Sequence, residues 1–311
     1  MAQIPISSAQ TTAIPQRQGN VSALATLAVL YFMMGLITCL NDTLVPFFKS
    51  SFNLTYTQSA LVQFYFFFTY GIMSIPAGWL VEKLGFKHGM VAGFLVAALG
   101  TFLFFPASIM HQYYLFLAAL FILAIGIVLL QVAANPYITV LGPSSSASSR
   151  FTLIQGVGSL GTTAAPLLGS WLILGPEGQV QRSSDSLRIP YLCITGLLIV
   201  IAIVVNRLKL PVINMHSENN GRSETNILNF RNLKFGVIAL FCYVGAEVSI
   251  GSFLTNYIAD KMVVSENAAN SFVAFYWGGM LMGRFLGAGL LRVMRPPVVL
   301  SVCAAASVLL I

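Results

Sequence analysis

Residues 112–141 read QYYLFLAALFILAIGIVLLQVAANPYITVL, a stretch in which no residue carries a formal charge. An α-helix needs about 20 mainly apolar residues to cross the hydrocarbon core of a bilayer. The stretch therefore predicts a membrane-spanning helix. The same template predicts seven further spans, near 22–48, 58–81, 88–107, 150–174, 190–207, 233–258 and 268–291.

A ninth apolar run begins near Pro297 and reaches only Ile311, which is too short to span a bilayer. Its last residues, AAASVLLI, have the composition of a helix interior, so we expect the chain to be a truncated form of a longer protein. The predicted fold class is an all-α polytopic membrane protein with eight full transmembrane helices and part of a ninth.

The composition excludes a soluble globular protein. Hydrophobic residues make up 57% of the chain and charged residues 8%, whereas soluble domains carry about 25% charged residues. The net charge of +7 lies in short loops and forms no basic stripe, so nucleic acid is not a predicted partner. The four cysteines lack metal-ligand spacing, and no catalytic or nucleotide-binding motif is found, so we predict neither an enzyme nor a cofactor.

Lysine and arginine are distributed unevenly between the two sets of loops. With the amino terminus inside, the cytoplasmic segments contain Arg17, Lys83, Lys87, Arg150, Arg207, Lys209, Arg222, Arg231, Lys234, Arg292 and Arg295. The opposite side contains Lys49, Arg182, Arg188 and Lys261. Basic residues concentrate in cytoplasmic loops, so we predict a multi-pass protein of the bacterial inner membrane with a cytoplasmic amino terminus.

A polar stretch after the sixth span divides the chain. Residues 209–232 read KLPVINMHSENNGRSETNILNFRN, and transporters built from two repeated halves are joined in this way. We therefore predict a cytoplasmic tail at 1–20, a six-helix bundle at 21–208, a central cytoplasmic loop at 209–232 and a partial second bundle at 233–311.

Two carboxylates, Asp42 and Glu247, lie inside apolar spans. Ionisable residues are costly there and usually face a water-filled path in which they function. Pro46 lacks an N–H, which leaves the Asp42 carbonyl unpaired and predicts a bend; the competing interpretation of Asp42 is an acid near the outer headgroups. Glu247 has small neighbours that favour close approach of a ligand; its competing interpretation is an ion pair with Arg284.

Amide side chains form a second group of candidates. Gln131 and Asn135 are four residues apart, which places both on one face of a helix, and Pro136 frees the carbonyl of Val132. Amides donate to and accept from hydroxyl groups, although hydrogen bonding between helices is the competing interpretation. Further candidates for ligand contact are Gln155, Asn41, Gln63, Tyr243 and Asn256.

Several stretches carry a resemblance to a known family: Leu40–Asp42, Ile75–Gly78, Gln131–Pro136 with Thr139–Pro143, Phe241–Ala246 and Gly283–Phe285. On these stretches the chain resembles the fucose-proton symporter family of the major facilitator superfamily, which includes glucose/galactose transporters. The resemblance implies two six-helix halves, a central sugar cavity and alternating access, with Asp42 serving the coupling ion or the sugar. Gln131, Glu247 and Gly158 stand where the fucose branch has glutamate, glutamine and asparagine, and the first two resemble the glucose/galactose branch.

The residues and the resemblance together predict a secondary active transporter that imports a neutral hexose or a related amino sugar by cation symport. H⁺ is the favoured coupling ion, carried by Asp42, and Na⁺ is the alternative. Gln131, Asn135, Gln155 and Glu247 are the predicted sugar contacts. Two other functions stay open, a sugar-binding membrane sensor that does not transport and an exporter of drugs or lipids on the same fold. We expect a monomer in a lipid bilayer with a small-molecule sugar as its partner.

Overall fold

The computed structural model describes residues 16–169, 184–211, 230–262 and 266–310, apart from certain side chains within helices, among them Asp42 and Asn256. The helices are α1 (Gln16–Ser51), α2 (Tyr56–Phe102), α3 (Phe104–Met110), α4 (Tyr113–Val140), α5 (Ala147–Gly169), α6 (Arg188–Arg207), α7 (Arg231–Met262), α8 (Glu266–Val293) and α9 (Pro296–Leu310). Two 3₁₀ turns, Ser144–Ser146 and Ser184–Leu187, precede α5 and α6. These ranges contain no β-strand, and the predicted all-α fold class is confirmed.

Helix α2 joins two of the predicted spans. It begins at a capping box in which the Gln58 N–H donates to Thr55 Oγ1 and the Thr55 N–H donates to the Gln58 side chain. The helical path then continues through the predicted loop near residues 82–87, where Gly85 has a non-helical backbone with φ 77° and ψ 163°. Glycine adopts a positive φ at little cost, so the two predicted spans are separate helical arms that meet at Gly85.

Four segments of the described chain are long and apolar enough to cross a membrane: Ser22–Asn41, Leu61–Met110, Tyr113–Val140 and Asp185–Arg207. The second has 50 residues and contains two of the predicted spans. Helices α5, α7 and α8 are also long but have a more polar sequence. These three helices carry the predicted site residues Gln155, Tyr243, Glu247 and Asn256.

The first six helices pack mainly in pairs, α2 against α4 and α1 against α5, with α6 against α2. Gly126 brings α4 so close to α2 that a Cβ atom on it would lie 2.3 Å from the backbone nitrogen of Ala97. Aromatic rings fill the remaining space, as where Phe104 and Tyr191 stack with centroids 3.9 Å apart. Such close approach stabilises membrane helices through van der Waals packing, because lipid supplies little hydrophobic driving force between them.

Helices α7 to α9 meet the first six helices chiefly through packing of α8 on α5. Helix α9 has no buried residue. The predicted division into bundles at 21–208 and 233–311 stays a prediction, because residues 1–15 of the tail and 212–229 of the central loop lie outside the described part of the chain.

Candidate functional site

One group of polar side chains lies where α1, α2 and α4 meet, and we call it the amide cluster: Tyr31, Thr38, Tyr70, Gln131 and Asn135. The Tyr31 hydroxyl donates a hydrogen bond to Asn135 Oδ1. The Gln131 Nε2 atom donates to the Tyr70 hydroxyl at 3.4 Å, and Tyr70 also shares a hydrogen bond with Thr38. Both amides of α4 therefore point toward tyrosines of neighbouring helices, on the one face that their spacing predicts.

Asp42 lies four residues after Thr38 in α1, one turn along from a residue of the amide cluster. Its backbone is helical, and α1 stays helical past Pro46 to Ser51. The Asp42 side chain falls outside the described residues, so its role in coupling stays a prediction.

Asn41, the neighbour of Asp42, is a buried amide. Its residue is 2% exposed, and neither side-chain atom has a hydrogen-bond partner among the described residues. An unsatisfied buried polar group costs about 1–3 kcal/mol, so such a position is retained more readily where it has a use, such as contact with a polar ligand. Gln63 lies half-buried in α2.

A second group lies where α5, α7 and α8 meet, and we call it the arginine cluster: Gln155, Ser159, Tyr243, Glu247 and Arg284. Arg284 Nη1 donates to Ser159 Oγ and, at 3.5 Å, to the Gln155 carbonyl. Arg284 Nη2 lies 3.8 Å from Glu247 Oε1. The structure thus contains the ion pair that was the competing interpretation of Glu247, in a loose form.

The surroundings of Glu247 leave its carboxylate accessible. Its side chain is 19% exposed and that of Arg284 is 25% exposed. Tyr243, one turn earlier on α7, interacts with both charged groups, and the Tyr276 hydroxyl donates to the Glu247 carbonyl at 3.3 Å. Asn256 lies on the same helix, but its side chain is outside the described residues.

Helix α5 connects the two clusters. Gly158 lies against Tyr31, because a Cβ atom on Gly158 would be 3.2 Å from the Tyr31 carbonyl oxygen and 3.5 Å from the Tyr31 Cβ. The next residue, Ser159, accepts from Arg284. A move of α5 relative to α1 or α8 therefore changes the surroundings of both clusters.

Sequence reasoning did not identify Tyr31, Tyr70 or Ser159 as site residues. Tyrosine and serine are common in membrane spans, and nothing in their local sequence distinguishes these three. Arg284 did carry a signal, as a basic residue inside an apolar span, but it was considered only as a partner of Glu247. Its contacts to α5 follow from the packing of helices that are distant in sequence.

The chemistry of the two clusters suits a neutral, hydroxyl-rich ligand. Amides and tyrosine hydroxyls both donate and accept hydrogen bonds, and a carboxylate accepts them. No group of residues that could hold a metal ion occurs in the described part of the chain.

Comparison with known proteins identifies the family. The model of the Major Facilitator Superfamily matches residues 27–311. A glucose/galactose transporter of Brucella abortus is 45% identical over 294 residues, which cover 93% of this chain and 71% of the relative. The L-fucose-proton symporter of Escherichia coli is 33% identical, with 93% of this chain and 72% of the relative covered.

A solved structure matches as well. The crystal structure of the major facilitator superfamily transporter FucP in the outward conformation aligns with a TM-score of 0.80 and 32% identity, over 90% of this chain and 73% of FucP. The relatives are transporters, so the prediction of a transporter rather than an enzyme is confirmed, as is the resemblance to the fucose-proton symporter family. The chain therefore belongs to the major facilitator superfamily and is an integral membrane protein.

Proposed function

We propose that the chain imports a neutral hexose together with H⁺ by alternating access. The observation that carries this proposal is the amide cluster, in which Gln131 and Asn135 present neutral donors and acceptors held by Tyr70 and Tyr31. Such groups match the hydroxyls of a sugar. The names of the relatives, a glucose/galactose transporter and an L-fucose-proton symporter, support the same substrate class.

Gln131, Asn135, Gln155 and Glu247 are the proposed main sugar contacts. Asn41, Gln63, Tyr243 and Asn256 are proposed as further contacts. We propose glucose and galactose as the substrates, because the more similar of the two relatives is named a transporter of these sugars.

Asp42 is the proposed carrier of the coupling ion. A carboxyl group within a membrane span suits proton transfer, because the membrane interior penalises its charged form and binding of a proton removes that penalty. The E. coli relative is named a proton symporter, which favours H⁺ over Na⁺. We further propose a monomer with two helix bundles, at 21–208 and 233–311, and an amino terminus on the cytoplasmic side of the bacterial inner membrane.

Transport by the protein in proteoliposomes tests this function. We expect galactose to accumulate when an inward H⁺ gradient is imposed, and not when only a Na⁺ gradient is imposed. Accumulation of galactose driven by a Na⁺ gradient alone would show that Na⁺ is the coupling ion. Equilibrium binding of galactose without counterflow would identify a sensor, and failure to bind any hexose would remove the sugar assignment.

The variant Asp42→Asn tests the coupling role. We expect it to abolish gradient-driven accumulation while sugar counterflow at equal pH on both sides persists. Asp185→Asn is the matched control, because Asp185 is an exposed acid in the 3₁₀ turn before α6, paired with Arg188 at 2.6 Å. If Asp42→Asn accumulated galactose as the control does, Asp42 would not be the coupling residue.

A further inference from the structure

Arg284 is the residue through which three helices meet. Its Nη1 atom bonds Ser159 Oγ and the Gln155 carbonyl on α5, and its Nη2 atom faces Glu247 on α7. Arg284 itself belongs to α8. Hydrogen bonds from a charged donor are about twice as strong as neutral ones. The Arg284 side chain therefore stabilises the contact between α8 and α5 more than a neutral donor would.

The rest of this contact lies between residues 149–159 of α5 and 284–288 of α8, and we call it the α5–α8 seam. Ser149 Oγ donates to the buried Ala288 carbonyl at 2.6 Å. A Cβ atom on Gly287 would lie 3.7 Å from Thr152 Cγ2. The seam is where the first six helices pack on the last three. Opening or closing it therefore changes how these two groups of helices lie against each other.

The contact between Arg284 and Glu247 differs in kind from the hydrogen bond that Arg284 donates to Ser159 on α5. At 3.8 Å between Nη2 and Oε1, it exceeds the roughly 2.7–3.2 Å of an N–H···O hydrogen bond. The Arg284 guanidinium donates a hydrogen bond to Ser159 on α5. It attracts the Glu247 carboxylate but does not occupy all of its hydrogen-bond acceptor positions. Glu247 therefore keeps acceptor capacity for a hydroxyl group, and a ligand that engages it competes with Arg284.

We propose that Arg284 is a positioning residue that latches the α5–α8 seam, and that a sugar hydroxyl engaging Glu247 loosens this latch. The sugar half of this proposal rests on the proposed function. Arg284 holds the seam closed through Ser159 and Gln155 and orients Glu247 toward the ligand. When Glu247 turns to the sugar, Arg284 loses its counter-charge, the closed seam becomes less favourable and α5 parts from α8.

Disulfide cross-linking of the seam tests the latch. The pair Thr152→Cys and Gly287→Cys is introduced after Cys39, Cys193, Cys242 and Cys303 are replaced by alanine. A Cβ atom on residue 287 lies 3.7 Å from Thr152 Cγ2, an atom in the place that a sulfur on residue 152 can occupy, so the two thiols can form a disulfide only while the seam is closed. The rate of cross-linking by copper phenanthroline then reports closure in proteoliposomes.

We expect saturating galactose to slow cross-linking several-fold in the otherwise unchanged protein. Arg284→Gln is expected to slow it about tenfold without sugar, which corresponds to about 1.4 kcal/mol, and to remove the effect of galactose. Arg292→Gln, a change of an exposed arginine on the same helix, is the matched control and is expected to cross-link as the parent does. If Arg284→Gln still binds galactose within a few-fold of the parent but its cross-linking rate no longer responds to galactose, a structural defect alone does not explain the result.

Two further variants keep the proposal testable if Arg284→Gln does not fold. Arg284→Lys keeps the charge but loses the fork of donors, and Ser159→Ala removes one acceptor, so each is expected to slow cross-linking by a smaller factor. If these variants, or Arg284→Gln itself, cross-linked at the parent rate, the latch would be wrong. If the parent bound no hexose, the proposed function would fail, while slower cross-linking of Arg284→Gln without sugar would still support the latch.

Discussion

The close approach of α1 and α5 leads to a measurable prediction at Gly161. A Cβ atom on this residue would lie 2.1 Å from the Phe32 carbonyl oxygen and 2.9 Å from the Leu36 backbone nitrogen. Both atoms are backbone, so neither can rotate away. Gly161→Ala therefore forces the two helices apart.

The size of the effect follows from these distances. Ordinary van der Waals contact begins at 3.4 Å, so the helices must separate by about 1 Å, and a gap of that size forfeits a quarter to a half of each contact across it. Overpacking of this kind costs about 1–3 kcal/mol, and we expect a value near the upper end because the clash is with backbone. On the scale of soluble domains of 150–250 residues, a cost of about 3 kcal/mol lowers the melting temperature by about 6–12 °C.

Thermal unfolding of the purified protein in detergent measures this shift. Gly196→Ala is the matched control, because it makes the same change inside α6, where a Cβ atom would meet nothing within 4 Å. Alanine is the better helix former, so the control is expected to melt at the parent temperature or slightly above. Equal melting temperatures for Gly161→Ala and Gly196→Ala would refute the tight α1–α5 contact.

Three further changes have defined outcomes. Tyr31→Phe removes the donor to Asn135 Oδ1 and lets that amide rotate, so galactose affinity measured by equilibrium dialysis is expected to fall about tenfold. An unchanged affinity would show that Asn135 does not contact the sugar. Thr195→Val removes the buried hydroxyl pair with Thr101 at 2.8 Å and is expected to cost about 1–2 kcal/mol in thermal unfolding; no loss would show that this pair contributes nothing. Gly85→Ala places a side chain at φ 77°, and about 1–2 kcal/mol of destabilisation is expected, whereas parent-like melting would contradict the kink.

Glu247 and Arg284 illustrate where sequence reasoning stops. The cost of a charge in lipid identified Glu247 as unusual, and its pairing with Arg284 was one of two interpretations. The geometry of the pair was not accessible, because a distance of 3.8 Å and the anchoring of Arg284 on Ser159 depend on how α8 lies against α5. Ser159 and Arg284 are 125 positions apart in the sequence, and no local pattern predicts that they meet.

Helix α2 shows a smaller difference. Apolar runs near 58–81 and 88–107 predicted two spans separated by a basic loop, and the structure replaces the loop with one glycine in a non-helical conformation. Lys83 remains exposed within this helical stretch, and Lys87 is half-buried. Charge patterning placed the turn correctly but did not reveal that helical geometry continues almost through it.

The amino-acid sequence alone determined the membrane location, the helical class and the shared face of Gln131 and Asn135, because hydropathy and a 3.6-residue period are local properties of the chain. Tertiary structure decided which side chains meet those amides. Tyr31 and Tyr70 lie 104 and 61 residues away from their partners and reach them because small residues let α1, α2, α4 and α5 pack closely. Helix periodicity orients a face, but only the packing of whole helices selects its neighbour.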